Sequence, residues 1–439
     1  MTFFIGTPPP GKPMSGSPKL VAVTGMGVLC SIASDLNEFG HAIREGRCGI
    51  GPIDSKGTSI RFGATLRNFD FDSWLDQLRS IAPPLFQRAR KVLANTTEST
   101  KWSVCSAVQA LLNSGLSHFE SAGVTCGLIV AGNNLAQNYI ANNWRSFSIN
   151  DQFNPRYAMS FWDTNQLGCL SDILSIHGPG MTVGAAAASG NAALFQAFHW
   201  LRGGMVQRCL VVGAGVEFSE LELESFALLG AAFCDSNTTT ADKACRPFDR
   251  SHAGFVFGEG SASVVLELQE PDSQTIAAGD IVGASLSLDG THLPEPSVGG
   301  EARSMLAALS AARISPNQIG YLNAHGTGTP TGDRTECLAI RSVFQEHIRE
   351  LLINSTKALT GHCFSASGLI EFVACVLQLN DGFAHPNRNL ENPIDPEMHF
   401  VGSQAETLRA EYGLSNAFGF GGINSSIVVR RRMLDAGRN

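Results

Sequence analysis

"GMTVGAAAASGNAALFQAF" (residues 180–198) reads as a short buried strand, a tight turn of small residues and a helix. A helix start turns its unpaired backbone N–H groups outward, so a turn of this kind often lifts a nucleophile into a pocket. Here four alanines, Ala185 to Ala188, fill the turn. Strand, small-residue turn and helix in that order are also the grammar of a βαβ unit, and the same order recurs along the chain.

"KLVAVTGMGVLC" (19–30) is a β-branched apolar run ending in glycines and predicts a buried strand feeding a loop, after which "LNEFGHAIREG" has helical spacing. "TCGLIVAGN" (125–133), "CLVVGAGVE" (209–217) and "ASVVLELQE" (262–270) predict further strands, separated by helical stretches such as "STKWSVCSAVQALLNSG" and "NAALFQAFHWLRGG". A second series starts near "DIVGASLSLDG" (280–290), includes "IGYLNAHGTG" and "LINSTKALTGH", and finishes with "SSIVVRRR". The grammar is shared although no letter-by-letter repeat is visible. The expectation is an α/β fold of two related halves, 19–272 and 273–439, preceded by a flexible leader, 1–18. Residues 70–105 and 134–168 read as insertions over the sheets, the second aromatic and polar enough for a pocket wall or subunit contact.

Composition narrows the function. The chain has 439 residues, 44% of them hydrophobic and only 16% charged, with 46 glycines, as suits a compact α/β enzyme. A formal charge of −8 argues against general nucleic-acid binding, which needs a basic face. The eleven cysteines include no CxxC and no His-Cys cluster at metal spacing, so neither zinc nor a disulfide framework is expected, and most should be small buried hydrophobes in a reducing cytoplasm. Pro, Gly and Ser interrupt the leader where a signal peptide needs an apolar core, and no apolar run is long enough to span a membrane.

Four segments carry candidate chemistry. "NAHGTGTPTGD" places His325 just after an apolar strand, in a loop of glycines and threonines that lets backbone and hydroxyls approach a ligand. "NSTKALTGHCFSASG" sets Lys357 and His362 across a glycine turn, ahead of an apolar helix containing Glu371. "SNAFGFGGINSS" sets Phe418 and Phe420 among glycines, and "RPFDRSHAGFVFGEGSASVVLE" joins two loops to a strand through Asp249, Phe255 and Glu259. Taken singly, each is as well explained by turns, core phenylalanines or one structural ion pair.

Taken in order, these segments resemble the β-ketoacyl-ACP synthases, the condensing enzymes of fatty-acid and polyketide synthesis. The resemblance runs from about Lys19 to Arg430 and rests on "VAVTGMG", "RPFD" followed by "GFVFGEG", "NAHGTGTPTGD", "STKALTGH" and "SNAFGFGGIN". It implies the thiolase-like fold, two βαβαβ-containing halves in a five-layered αβαβα arrangement, and a homodimer. It also implies that the family's catalytic cysteine corresponds to Ala187, which cannot form a thioester. Ser189, two positions on, reads as a residue satisfying turn N–H groups and not as a displaced nucleophile.

By the same resemblance His325 and His362 would stabilise an enolate, Lys357 and Glu371 would hold His362 and tune its protonation, and Phe420 would gate the site. Phe255 would surround a carboxylate with apolar surface. "VGAAAASGN", "GLIVAGNNLAQNY" and "DTNQLGCLSD" further resemble the ketosynthase-like decarboxylases of polyketide β-branching cassettes, in which the cysteine position is usually serine. That likeness implies conversion of malonyl-ACP to acetyl-ACP for an HMG-CoA-synthase-like enzyme. No dissociable cofactor is implied, the substrate riding on the phosphopantetheine arm of an acyl carrier protein. Arg88, Arg90 and Lys91 in "PPLFQRARKVL" form a basic spot suited to an acidic carrier or to an ordinary solvated helix face. Two alternatives stand beside this reading: a condensing synthase carrying an engineered change of its cysteine or serine nucleophile to alanine, and a non-catalytic chain-length-factor-like subunit. The second is disfavoured because such partners usually lose the histidines as well.

Overall fold

The computed structural model describes residues 19–54, 57–234, 240–270, 273 and 276–432, so the expected leader lies outside the described residues. Ten strands make one mixed sheet. The first five are β1 (Leu20–Cys30), β2 (Cys126–Ala131), β3 (Gly180–Val183), β4 (Arg208–Gly213) and β5 (Gly260–Gln269). The other five are β6 (Gly279–Leu288), β7 (Ile319–Asn323), β8 (Leu352–Asn354), β9 (Tyr412–Gly419) and β10 (Ile423–Arg431). Between the strands run helices α1 (Glu98–Asn113), α2 (Asp163–Leu174), α3 (Ser189–Arg202), α4 (Val298–Ala312), α5 (Pro330–Phe344) and α6 (Ser367–Asp381).

Each half therefore reads strand-helix three times and closes with two strands. The sheet order is β8-β7-β9-β10-β6-β1-β5-β4-β2-β3, the same sequence of roles counted outward from the centre in either direction. An antiparallel pairing of β1 with β6, from Val21 opposite Ile281 to Val23 opposite Gly279, joins the halves. Helices α3 and α6 lie against strands of both halves, α1 against β1 and β5, and α4 against β6 and β10. The five-layered αβαβα arrangement of a thiolase-like fold results.

Glycines make the layers possible, in a way the sequence reading misplaced. Gly25 and Gly27 do not end the first strand but sit within it, where a Cβ would come within 2.3 Å of Ala110 O and 2.1 Å of Ser106 O on α1. Gly283 in β6 does the same for α4, its Cβ falling 2.2 Å from Ala308 O. At the centre α3 and α6 cross at Gly190 and Gly368, where a Cβ on Gly190 would meet Leu369 N at 2.6 Å. The small residues of the quoted turn thus serve a helix crossing as well as a pocket.

The crossing exposes the internal repeat. Ala186 (φ 49°) and Phe364 (φ 48°) each occupy the left-handed region. Each then begins a single 3₁₀ turn, Ala186–Ala188 or Phe364–Ala366, that runs into α3 or α6. "AAAASG" (185–190) and "CFSASG" (363–368) are the same elbow built twice, and the two elbows pack together.

Two further expectations need correction. The stretch 70–105 is an insertion only through the helices Phe71–Ile81 and Pro83–Leu93, because α1 buries most of its length against the sheet and is a layer in its own right. Within 134–168 the helix Gln137–Asn150 has no buried residue, whereas α2 begins at Asp163 and belongs to the layers. Strand β9, for which the sequence carried no strand expectation, holds Phe418 just ahead of the glycine turn. Among the described residues no helix is long and apolar enough to cross a membrane.

Candidate active site

His325 leaves the end of β7, and His362 follows the short helix Lys357–Thr360 that continues from β8. Their ring centroids stand 5.6 Å apart with planes at 83°. The Glu336 carboxylate on α5 accepts the His325 N–H at 2.9 Å and the Gly326 N–H at 2.8 Å, pinning the first loop. The second loop is pinned by strand-like bonds: His362 N–H donates to Val256 O at 2.7 Å and Gly258 N–H donates to His362 O at 2.8 Å.

The hydrogen bonds decide which nitrogen of each ring carries the proton. Lys357 Nζ lies 3.3 Å from His325 Nδ1 and 2.6 Å from His325 O. An ammonium only donates, so Nδ1 supplies a lone pair and the proton sits on Nε2. Phe364 N–H donates to His362 Nδ1 at 3.1 Å, which places the second ring in the same tautomer, and Ser367 Oγ lies 2.9 Å from that nitrogen. Burial holds both imidazoles well below the usual histidine range, and the Lys357 charge pushes the same way. Two neutral rings result, each with an Nε2–H to offer. Nitrogen-resolved NMR of the ring signals at pH 6 is expected to find both residues neutral and Nε2-protonated, where an unperturbed imidazole (pKa about 6.5) is mostly charged; a charged ring at either position would contradict this.

Lys357 is fully buried and paired with Glu371 Oε1 at 2.5 Å. Burial raises the Glu371 carboxyl, against the pull of Lys357. This pair corrects one expectation: Lys357 grips His325, not His362, and reaches His362 through its charge alone.

Ala187 is 8% exposed at the first elbow. The Ser189 hydroxyl is wholly buried, donating to Ala186 O at 2.7 Å and accepting from Ala185 N–H at 2.8 Å, so it ties the turn together as expected. Cys363, beside His362, offers no substitute thiol: it is buried, its Sγ faces Thr360 O at 3.7 Å, and burial pushes the thiol well up. A Cβ on Gly419 would meet Ala185 O at 2.5 Å, which shows how closely the end of β9, and Phe420 after it, approaches the elbow. Phe418 is buried edge-on to His325, with centroids 5.8 Å apart, and Phe255 is edge-on to His362 at 5.5 Å. Phe420 is 44% exposed and its ring lies 6.5 Å from Phe226.

Arg88, Arg90 and Lys91 lie elsewhere, on the exposed face of the helix Pro83–Leu93. All three are exposed, but the Arg88 guanidinium is tied to Ser175 Oγ and Ile173 O at the end of α2. Sequence reading missed Glu336, Ser367, Phe364 and Phe226. Phe364 and Ser367 stand within the quoted "GHCFSASG", but only the fold shows which of its residues face the imidazole.

Residues 19–271 match the N-terminal domain and residues 278–391 the C-terminal domain of the beta-ketoacyl synthases. The chain belongs to the β-ketoacyl synthase family. It is 32% identical to the polyketide biosynthesis malonyl-ACP decarboxylase PksF of Bacillus subtilis, over 93% of this chain and 96% of that protein. It is 30% identical to 3-oxoacyl-[acyl-carrier-protein] synthase 2 of Synechocystis, over 94% and 98%. Among solved structures, a beta-ketoacyl synthase from Burkholderia phymatum superposes with a TM-score of 0.81 at 27% identity, covering 94% of this chain and all of that one.

Proposed function

We propose that the protein removes CO₂ from a malonyl thioester carried by an acyl carrier protein and releases the acetyl thioester. The observation that carries this reading is a pair of neutral imidazoles, each with Nε2–H available, beside an elbow whose nucleophile position is alanine. Acyl transfer to the enzyme needs a nucleophile, whereas decarboxylation needs only stabilisation of the enolate. The C–C bond to the carboxylate breaks, its electron pair enters the enolate, and the two Nε2–H groups donate to the enolate oxygen. The backbone N–H groups of Ala187 and Phe420 line the oxyanion position at the elbow. Phe255 and Phe418 keep water from the departing carboxylate, which favours neutral CO₂. The enolate carbon then takes one proton. The PksF similarity supports this assignment over condensation. Supply of the acetyl unit to an HMG-CoA-synthase-like enzyme in β-branching belongs to the same reading.

The test follows the mass of malonyl-loaded carrier incubated with the protein: loss of one CO₂ from a single carrier supports the assignment, and unchanged malonyl carrier rejects it. In the same assay Arg90→Glu with Lys91→Glu is expected to raise KM for the carrier-bound substrate several-fold while sparing a small malonyl thioester, and equal effects on both would reject that docking site. A homodimer fits the open edge of β3 and, separately, the exposed Trp144, Ile149 and Leu221, which line one shared hollow.

A further inference from the structure

Phe364 is a bulky residue in a backbone conformation that favours glycine, at the start of the elbow that packs against the alanine turn. Its ring stacks flat on His362, with centroids 4.5 Å apart and planes at 5°. Three further phenylalanines enclose it: Phe218 at 4.5 Å, Phe226 at 5.2 Å and Phe255 at 5.3 Å, the first and last edge-on. Phe226 continues the wall to the half-exposed Phe420. Beyond Phe226 and Phe255, the crevice reaching Phe62 and Phe233 has room for about one water molecule. Observed strain at a site is a reason to ask what the strained residue does there.

We propose that Phe364, backed by Phe226, is the specificity-determining residue that excludes acyl chains from this site. Its ring fills the space beside the elbow that a chain attached at position 187 would need, while its backbone N–H holds His362 in the donating tautomer. The site then admits a malonyl unit and little more. The inference rests on the decarboxylase reading only for the identity of the unit admitted; the exclusion of longer chains is a property of the wall.

The experiment supplies the missing nucleophile. In an Ala187→Cys protein the introduced thiol gives up its proton to solvent and its thiolate attacks the acyl thioester carbonyl; the new C–S bond forms, the original thioester C–S bond breaks, and the small thiolate departs and takes a proton from solvent. Covalent loading is read by intact-protein mass with acetyl and octanoyl thioesters of a pantetheine-like thiol. Ala187→Cys alone is expected to load acetyl and exclude octanoyl. Adding Phe364→Leu or Phe364→Ala should raise octanoyl relative to acetyl loading at least about tenfold. Phe226→Ala, which leaves the His362 contacts intact, should shift the same ratio. Equal loading of both chains by Ala187→Cys alone, or a ratio unmoved by all three additions, overturns the proposal. Because this ratio is measured without malonyl substrate, it stands or falls separately from decarboxylation by the parent protein.

Discussion

Alanine in place of His362 is expected to lower kcat for malonyl decarboxylation about 10²–10³-fold, the usual loss when one donor to a developing oxyanion is removed. His325→Ala should cost a similar factor, and the double variant less than the product, because both donors serve one oxygen. KM should change little, since the bond strengthens as charge develops and not on binding. Glutamine separates this role from general-base catalysis. Its side-chain amide can place an N–H near the position of the imidazole Nε2, so His362→Gln should recover part of the rate if the ring only donates. Equal activity of the Gln and Ala variants, or full activity in either, would rule out donation by His362. Phe364 N–H loses its acceptor in His362→Ala, so thermal midpoints must accompany the kinetics.

Lys357→Met should be the more damaging change to the fold. It leaves Glu371 buried without its cation, and breaking a buried pair from one side typically costs about 3–5 kcal/mol. Removing both partners, Lys357→Met with Glu371→Leu, should restore most of the denaturation midpoint, because no unpaired charge remains. Decarboxylation should not return with stability, because His325 Nδ1 has lost the donor that fixes its tautomer. Recovery of the rate in the double variant would mean the pair serves packing alone.

The pH dependence of the single variant follows from the sign of the Glu371 shift. Burial raises this carboxyl above its unfolded value, and losing Lys357 removes an opposing pull, so the folded variant holds a proton the unfolded chain lacks. Stability from that proton is full below about pH 4.5 and is lost as pH rises through the folded value. Lys357→Met should therefore unfold more readily at pH 8 than at pH 6, measured by urea midpoints.

Strand and helix order, the family segments and the two histidines were legible in the sequence because they are local: apolar period, glycine punctuation and a residue's place after a strand need no partner. The alanines at 185–188 were equally plain. What each side chain touches was not. Lys357 and Glu371 were named as a pair, yet the attachment of Lys357 to His325 depends on how β7 and β8 lie side by side in the sheet. Gly25 and Gly27 looked like the end of a strand, because the helix that needs their missing Cβ atoms lies some eighty residues away. Phe364 lies between His362 and Glu371 without a local signal of its own, because a phenylalanine in a short turn has no meaning apart from the rings that surround it.

The sequence by itself thus determined the class of fold, the doubled halves and the run of alanines at the elbow. Only the tertiary structure decided which nitrogen of each imidazole carries its proton, which ring Lys357 serves and what fills the space beside the elbow. Those are distances between segments far apart in the chain, fixed by helix crossings and sheet pairing, and no local pattern encodes them.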